Sequence, residues 1–369
     1  MNNHMQTRMA EAMRLMQTGR LSEATALLQG SLAGLPSTTV SATEPNGTDA
    51  PLKATFRILD TSLPSREPSV EGFSSVLTSG QFVQRTYTNR AGTRSYQLYI
   101  PSGYTGQAVP LVIMLHGCTQ TSINFATGTR MNEYAEGETF LVAYPEQEIS
   151  ANGSKCWNWF QQTDQYRDMG EPSLIAGITK QIMSDYHVDA QRVYVAGLSS
   201  GGAMAAIMAT TYPDLYAAVG VHSGLAYGAA HDLPSAFAAM NQGTNQGTRY
   251  PTQSIPLIVF HGDSDTTVAP INADLLLDQW LRGVNDGQGS MQQSVQDVQV
   301  ERGHAANGHT YTRSIYHDTS GQSIIEKWIV HQAGHAWSGG SPSGSYTDSR
   351  GPDASAEMVR FFTEHSKER

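Results

Sequence analysis

The stretch RVYVAGLSSG, residues 192–201, decides the fold that this sequence predicts. Its first five residues form a short, mostly apolar run typical of a strand, and AMAAIMATTY at 203–212 has the composition of a helix. Between them stands a G-x-S-x-G pattern centred on Ser199. At a sharp strand-to-helix turn this pattern exposes the serine hydroxyl at the helix N-terminus, where the helix dipole favours developing negative charge. We therefore predict that Ser199 is the nucleophile of an enzyme.

Strands and helices alternate along the chain to either side of this turn. The predicted strands are Ser95–Ile100, Pro110–Leu115, Thr139–Tyr144, Arg192–Ala196, Ala217–Val221, Pro256–Phe260 and Ile324–Val330. The predicted helices are Arg130–Glu136, Ser173–Tyr186, Ala203–Tyr212 and Ala273–Trp280. The first strand alternates like an edge strand, whereas the second is continuously apolar, as expected for burial on both faces. The alternation predicts an α/β fold: a mostly parallel sheet with helices on both faces, and strand-end loops that meet at one edge.

The first 79 residues differ in composition from the rest. Residues 1–30 carry two short helical patterns separated by Gly19, which predict a helical hairpin that serves as a docked appendage or a partner-binding arm. Residues 31–79 are rich in Ser, Thr, Pro and Gly and predict a linker or a surface segment. The catalytic domain is therefore expected to span residues 80–369.

Composition restricts the class of protein. The chain carries 33 acidic against 23 basic residues, a net charge of −10, and no basic run, so we expect no nucleic-acid partner. No stretch approaches the roughly 20 apolar residues that span a bilayer. The N-terminus shows no secretory signal, which predicts a cytoplasmic protein, or a secreted one if the sequence has been trimmed. The cysteine spacing predicts no metal site, and no cofactor is expected.

A serine nucleophile needs a base and an acid, which should follow it in the order acid, then histidine. His335, in a Gly-His-Ala-Trp loop after the last predicted strand, is the predicted base, and His331 is its rival. The acid is expected after the sixth strand, where HGDSDTTV offers Asp263 and Asp265. Asp265 is preferred because it lies further out, where the chain should bend towards the histidine, whereas Asp263 would bond to its own turn. Surface exposure is expected for three other histidines, His304, His309 and His317.

The developing oxyanion needs two backbone N–H donors. One is predicted from Ser200, directly after the nucleophile. The other is predicted from Cys118, in the loop His116-Gly117-Cys118 that follows the buried second strand. Cys118 could form a disulfide with Cys156 that fixes both loops, or both could remain free thiols, as a reducing cytoplasm would favour.

Tryptophans accumulate near these loops. Trp157 and Trp159 follow the second cysteine, and Trp337 stands beside the predicted base. We expect the three to wall an apolar substrate cleft, with core packing as the alternative for Trp157 or Trp159. Residues 226–250 or 282–320 could cover this cleft as a lid.

Together, these motifs resemble the poly(3-hydroxybutyrate) depolymerase-type esterase family. The resemblance rests on LVIMLHGCTQTSINF, CWNWF, RVYVAGLSSGGAMAAIM, HGDSDTTV and GHAW, and covers about residues 90–365. It implies an α/β-hydrolase fold, a triad of Ser199, Asp265 and His335, and the HGC segment as oxyanion loop. The family includes polyester depolymerases, feruloyl esterases and acetylxylan esterases. Unlike its secreted members, this sequence shows no signal and no C-terminal polymer-binding domain, which would fit an intracellular enzyme.

The sequence therefore predicts a serine carboxylic-ester hydrolase that works through an acyl-enzyme, most simply on poly- or oligo-(3-hydroxybutyrate). Feruloyl or acetyl esters of plant polysaccharide are the alternative substrates, because the aromatic loop suits either. A hypothesis of another class is a protein that binds the polyester granule surface through the N-terminal hairpin. The complete set of candidate catalytic residues argues against a protein that only binds.

Overall fold

The computed structural model describes residues 80–244, 254–285, 295–306 and 308–367. The hairpin predicted at 1–30 and the segment 31–79 lie outside the described residues, so both stay predictions. No helix within the described residues is both long enough and apolar enough to cross a membrane.

Ten strands of the described chain form one sheet. They are β1 (Gln81–Asn89), β2 (Gly92–Ile100), β3 (Val109–Leu115), β4 (Leu141–Pro145), β5 (Val188–Leu198), β6 (Ala218–His222), β7 (Leu257–Gly262), β8 (Asp297–His304), β9 (Thr310–His317) and β10 (Ser323–Val330). Their spatial order is β1-β2-β4-β3-β5-β6-β7-β10-β9-β8. The six central strands, from β4 to β10, pair in parallel, and the two outer pairings at each side are antiparallel. The predicted, mostly parallel sheet is confirmed.

Helices cover both faces of this sheet, as predicted. They are α1 (Ser122–Thr129), α2 (Met131–Glu138), α3 (Gly170–Asp185), α4 (Ser200–Thr211), α5 (Leu233–Gln242), α6 (Ile271–Asn285) and α7 (Ala354–Thr363). Side chains of α3, α4, α5 and α6 pack into one core cluster, and those of α1, α2 and α7 into the other. Two short strands, β11 (Trp337–Ser338) and β12 (Thr347–Asp348), pair with each other beside the main sheet.

Strand β5 shows why the central strands are apolar. Val193 and Val195 pack into the first core cluster, and Tyr194 and Ala196 into the second, with at most 2% of any of these side chains exposed. Because successive side chains of a strand point to opposite faces, a strand covered on both faces needs apolar residues throughout. β5 therefore lies deep in the sheet and delivers Ser199, the next residue, to its carboxyl edge.

The first edge of the sheet differs from the expectation. Ser95–Ile100 belongs to β2 and is not an edge strand, because β1 pairs with β2 along its whole length and forms the edge. The sequence does not reveal β1, since QFVQRTYTN is largely polar and most of its side chains are exposed.

The opposite edge corrects two further expectations. β8 and β9 occupy much of the segment 282–320, and they extend the sheet instead of covering the cleft, so its described residues do not support a lid there. The exposure expected for His309 is wrong: its side chain is buried, with Nε2 2.8 Å from Asp348 Oδ2. His304 is exposed and His317 is half-buried.

Candidate active site

Ser199 occupies the turn between β5 and α4, with φ 57° and ψ −119°. Such a backbone is strained for a residue with a Cβ, and strain of this kind collects at functional sites. A Cβ on Gly197 would lie 2.3 Å from the carbonyl oxygen of Gly201, and one on Gly201 would lie 2.1 Å from that of Leu115. The Ser199 N–H donates to the His222 carbonyl at 2.9 Å. The two glycines of the motif are therefore a packing requirement of this turn.

The predicted base and acid form a hydrogen-bonded pair. His335 Nδ1 lies 2.7 Å from Asp265 Oδ2, and His335 lines the same cavity as Ser199. The other oxygen of Asp265 accepts two backbone N–H groups of its own turn, both at 2.9 Å. Burial would raise the pKa of the Asp265 carboxyl, but hydrogen bonds from His261 and His335 hold it well below its usual value. A permanent carboxylate at Nδ1 leaves Nε2 of His335 free to act as a base.

The rival acid and the rival base pair with each other instead. Asp263 Oδ2 lies 2.8 Å from His331 Nδ1, and both side chains are more than a third exposed. His331 Nε2 lies 2.9 Å from the hydroxyl of Thr312 on β9. Neither Asp263 nor His331 is among the residues that line the cavity of Ser199. The pair joins the loop of the acid to the loop of the base, which is a structural role.

Cys118 and Ser200, the predicted oxyanion donors, both line the cavity together with Ser199. Ser200 is the first residue of α4, so its N–H has no partner within the helix. Neither backbone N–H donates a hydrogen bond to any described residue. An oxyanion hole requires two such unpaired N–H groups, so both residues fit the predicted role.

The loop before Cys118 is held by buried side chains. His116 Nδ1 donates to the Gly117 carbonyl at 2.7 Å, and Gln120 Oε1 accepts the Gly117 N–H at 2.9 Å. Gln120 is 2% exposed and is not revealed by the sequence as a site residue. Its only signal is that it stands two residues after the HGC segment.

Cys118 and Cys156 form a disulfide. Of the two alternatives left open by the sequence, the structure therefore has the bridged form. The bond joins the oxyanion loop directly to the loop that carries Trp157 and Trp159.

Ser199, the predicted nucleophile, lines an apolar cavity of about 150 Å³. Its lining residues are Gly117, Cys118, Cys156, Trp159, Phe160, Leu198, Ser199, Ser200, Leu225, Leu233, Ala236, Phe237, Met240, Thr267, Val268, His335 and Tyr346. Helix α5 supplies four of them at the spacing i, i+3, i+4, i+7, so that one stripe of this helix forms a wall. The sequence offers residues 226–250 as a lid. Their described part includes α5, which forms one wall of the cavity. The spacing could have revealed this stripe.

Of the three tryptophans expected to wall the cleft, only Trp159 lines the cavity. For Trp157 the structure has the alternative, core packing, because this side chain is fully buried, with its ring 5.7 Å from that of His116. The expectation for Trp337 is wrong: its ring stacks on His222 at 5.1 Å, and its Nε1–H donates to the Ser355 hydroxyl at 3.1 Å. Both side chains belong to the apolar core, Trp157 to the first cluster and Trp337 to the second.

Two further buried histidines surround the acid. His261 Nε2 donates to the Val268 carbonyl at 2.9 Å and lies 3.4 Å from Asp265 Oδ2. Burial, reinforced by the nearby His261 and His335, lowers the pKa of His222 to about 3, so this ring is neutral. No group of three or more His, Cys, Asp and Glu side chains in the described part of the chain is placed to hold a metal ion.

Comparison with known proteins finds a family and several curated relatives that are similar to this chain. Residues 94–299 match the protein family described as esterase PHB depolymerase. The poly(3-hydroxyalkanoate) depolymerase C of Paucimonas lemoignei is 31% identical over 252 residues, which cover 64% of this chain and 57% of that protein. The feruloyl esterase B of Neurospora crassa is 31% identical over 214 residues, which cover 52% of this chain and 70% of that protein.

A solved structure extends the likeness to the fold. The acetyl xylan esterase from Aspergillus awamori superposes with a TM-score of 0.57 at 20% identity, over 76% of this chain and 99% of that one. At this identity the likeness establishes the fold alone. The chain has the α/β-hydrolase fold, as the sequence predicts, and it spans less than two thirds of the length of the Paucimonas protein.

Proposed function

Because this chain belongs to the esterase PHB depolymerase family, we propose that it is a serine carboxylic-ester hydrolase that works through an acyl-enzyme. The observation that carries the proposal is an apolar cavity lined by both Ser199 and His335. Asp265 is hydrogen-bonded to Nδ1 of this histidine. This arrangement supports Ser199 as the nucleophile, His335 as its base and Asp265 as the acid that orients the base.

The reaction proceeds in two halves. His335 Nε2 takes the proton of Ser199 as the hydroxyl oxygen attacks the ester carbonyl, and Asp265 stabilises the imidazolium that forms. The tetrahedral intermediate collapses, and its alcohol leaves with the proton from His335. Water, activated by the same histidine, then attacks the acyl-enzyme and releases the acid. The N–H groups of Cys118 and Ser200 hold the oxyanion in both halves.

The cavity supports a neutral substrate. Apart from the catalytic histidine, no titratable side chain other than Tyr346 is among its described lining residues, and Trp159, Phe160 and Phe237 supply aromatic surface. A charged acyl group would be desolvated there without a partner. We propose poly- or oligo-(3-hydroxybutyrate) as the substrate, in line with the Paucimonas relative. The Neurospora relative supports the alternative of a feruloyl ester.

Hydrolysis of the two substrate classes distinguishes them. Purified protein is assayed side by side on 3-hydroxybutyrate oligomers and on methyl ferulate, at equal enzyme concentration. We expect a higher kcat/KM on the oligomers. A preference for methyl ferulate would replace the polyester substrate with the aromatic ester and leave the mechanism unchanged.

The disulfide bears on where the protein works. Disulfides persist in oxidising compartments and are rare in the reducing cytoplasm. The Cys118–Cys156 bond therefore weighs against the cytoplasmic location expected from the sequence.

Granule binding through residues 1–30 stays a prediction, and deletion of residues 1–75 followed by a granule pull-down tests it.

The mechanism is tested first at the nucleophile. Ser199→Ala should abolish turnover of a p-nitrophenyl ester, because neither Ser200 nor water can replace the strained, base-activated hydroxyl. Ser264→Ala is the control and should keep wild-type turnover, since its exposed hydroxyl is not among the cavity lining residues. A Ser199→Ala protein with near-wild-type turnover would refute the assignment.

A further inference from the structure

A line of buried hydrogen bonds runs from helix α3 to the loop of one oxyanion donor. It begins at Glu171, in the first turn of α3, whose side chain is 4% exposed. One carboxylate oxygen accepts the backbone N–H of Asn158 at 2.7 Å. The other accepts the side-chain amides of Asn158, also at 2.7 Å, and of Gln147. Glu171 thereby fixes two positions in the long segment between β4 and α3.

Gln147 carries this restraint to both cysteine-bearing loops. Its side-chain amide donates to the Cys156 carbonyl at 2.9 Å, and its backbone N–H donates to His116 Nε2 at 3.0 Å. His116 Nδ1 in turn donates to the Gly117 carbonyl at 2.7 Å. Burial lowers the pKa of His116 to about 4, so the ring is neutral and keeps its single proton on Nδ1.

The direction of the Gly117 carbonyl decides the direction of the Cys118 N–H. Both groups belong to one trans peptide, in which C=O and N–H point in opposite directions. The buried His116 ring holds the Gly117 carbonyl, so the Cys118 N–H points away from that ring. Cys118 itself lines the cavity together with Ser199. The disulfide to Cys156 restrains the same residue through its side chain.

We propose that Glu171 is a positioning residue for the oxyanion hole: its carboxylate anchors Gln147 and Asn158, and these hold the Cys118 N–H towards the reacting carbonyl. The inference rests on the proposed ester-hydrolase function. Glu171 is not among the cavity lining residues, so it acts through the chain of hydrogen bonds. A merely structural carboxylate would affect how much protein folds but not the rate at a folded site.

The charge of Glu171 gives the proposal a second signature. Two charged groups face it, Arg94 of β2 at 3.5 Å and Asp164, whose carboxylate accepts the Glu171 N–H at 2.7 Å. Burial, together with Asp164, raises the pKa of Glu171 to about 7. Protonation of Glu171 would place an O–H donor opposite the N–H donors of Asn158 and Gln147. The hydrogen bonds that anchor these two residues should therefore weaken as the pH falls through about 7. As the pH is lowered below about 7, kcat of the wild type should therefore fall more steeply than kcat of Glu171→Gln.

The test compares two buried carboxylates in the full-length protein. Glu171→Gln replaces one acceptor oxygen with an amide N–H, which cannot accept the hydrogen bonds that Asn158 and Gln147 donate. Glu326→Gln is the control. Glu326 is fully buried in ion pairs with Arg313 and Arg360 on the far side of the sheet. Active sites are counted from the end point of a fluorophosphonate reaction, and kcat and KM are measured on a p-nitrophenyl ester.

We expect kcat per titrated site to fall about tenfold in Glu171→Gln, with KM within about twofold. This is less than the 10²–10³ of a deleted donor, because the N–H is displaced and not removed. Glu326→Gln should lower Tm and leave kcat per site unchanged. Gln147→Leu should reproduce the loss in kcat, and the double variant with Glu171→Gln should lose little more, because the two side chains act in one chain.

Each outcome decides a separate point. Wild-type kcat per site in Glu171→Gln would overturn the inference and leave the ester hydrolase intact. If that variant does not fold, wild-type kcat per site in Gln147→Leu overturns the inference equally. A wild type whose Ser199 does not react with the fluorophosphonate would instead refute the proposed function on which the inference rests.

Discussion

Two aspartate–histidine pairs lie side by side at the carboxyl edge of the sheet. Asp265–His335 and Asp263–His331 come from the same two loops and have nearly equal distances, 2.7 and 2.8 Å. They differ in their surroundings, because Asp265 is fully buried and His335 lines the cavity, whereas both members of the other pair are more than a third exposed. The comparison teaches that an acid–base contact alone does not identify a catalytic pair. Burial of the acid and a shared cavity with Ser199 favour Asp265–His335 as the catalytic pair that we propose.

The largest expected difference between the pairs lies in their histidines. His335→Ala should lower kcat on a p-nitrophenyl ester by about 10⁶-fold, because Ser199 then has no base. His331→Ala should stay within about twofold of the wild type. Steady-state kinetics on both variants measure this, and equal losses in the two would contradict the distinction between the pairs.

The two aspartates should differ by a smaller factor. Asp265→Asn keeps the shape of the side chain but removes the charge that stabilises the imidazolium, so we expect a loss in kcat of about 10⁴-fold. Asp263→Asn should lose less than threefold, since its carboxylate restrains the loops from outside the cavity. The measurement is kcat at saturating substrate, with Tm recorded for each variant to show that it is folded. A catalytic loss in Asp263→Asn as large as in Asp265→Asn would refute the account.

The smallest expected difference is in the pH dependence of stability. The pKa of both carboxyls is lower in the folded protein than its usual value, so each contributes stability above about pH 4 that is lost as the pH falls below it. The contribution of Asp265 should be larger, because the exposed pair of Asp263 is screened by solvent.

This effect is measured as Tm between pH 6 and pH 3 for the wild type, Asp265→Asn and Asp263→Asn. The gap between the wild type and Asp265→Asn should narrow over this range by more than the gap to Asp263→Asn. A gap to Asp265→Asn that stays constant would show that the carboxylate of Asp265 is not held ionised by the fold.

The sequence predicts the centre of the molecule better than its margins. The strand that ends before Ser199 is recognisable because burial on both faces leaves only apolar residues. The strand β1 and the pair β8–β9 are not, since almost none of their side chains is fully buried and polar residues interrupt the apolar pattern. A strand is therefore recognised from sequence most directly where both of its faces are covered.

The residues of the candidate site also differ in how well the sequence predicts them. Ser199, Asp265 and His335 can be proposed from sequence because motif and chain order point to them. The sequence cannot say which tryptophan reaches the cavity, because a buried Trp157 and a lining Trp159 stand two residues apart on one loop. Glu171 is beyond sequence reasoning as well, since its role arises from hydrogen bonds to Gln147 and Asn158 that only the folded chain brings together.

Covalent labelling of the nucleophile tests the central claim most directly. The wild-type protein is treated with a fluorophosphonate, digested, and analysed by mass spectrometry to locate the adduct. We expect one adduct per chain, on Ser199, with ester hydrolysis lost in proportion to labelling. An adduct on another residue, or full hydrolysis after Ser199 is labelled, would contradict the account.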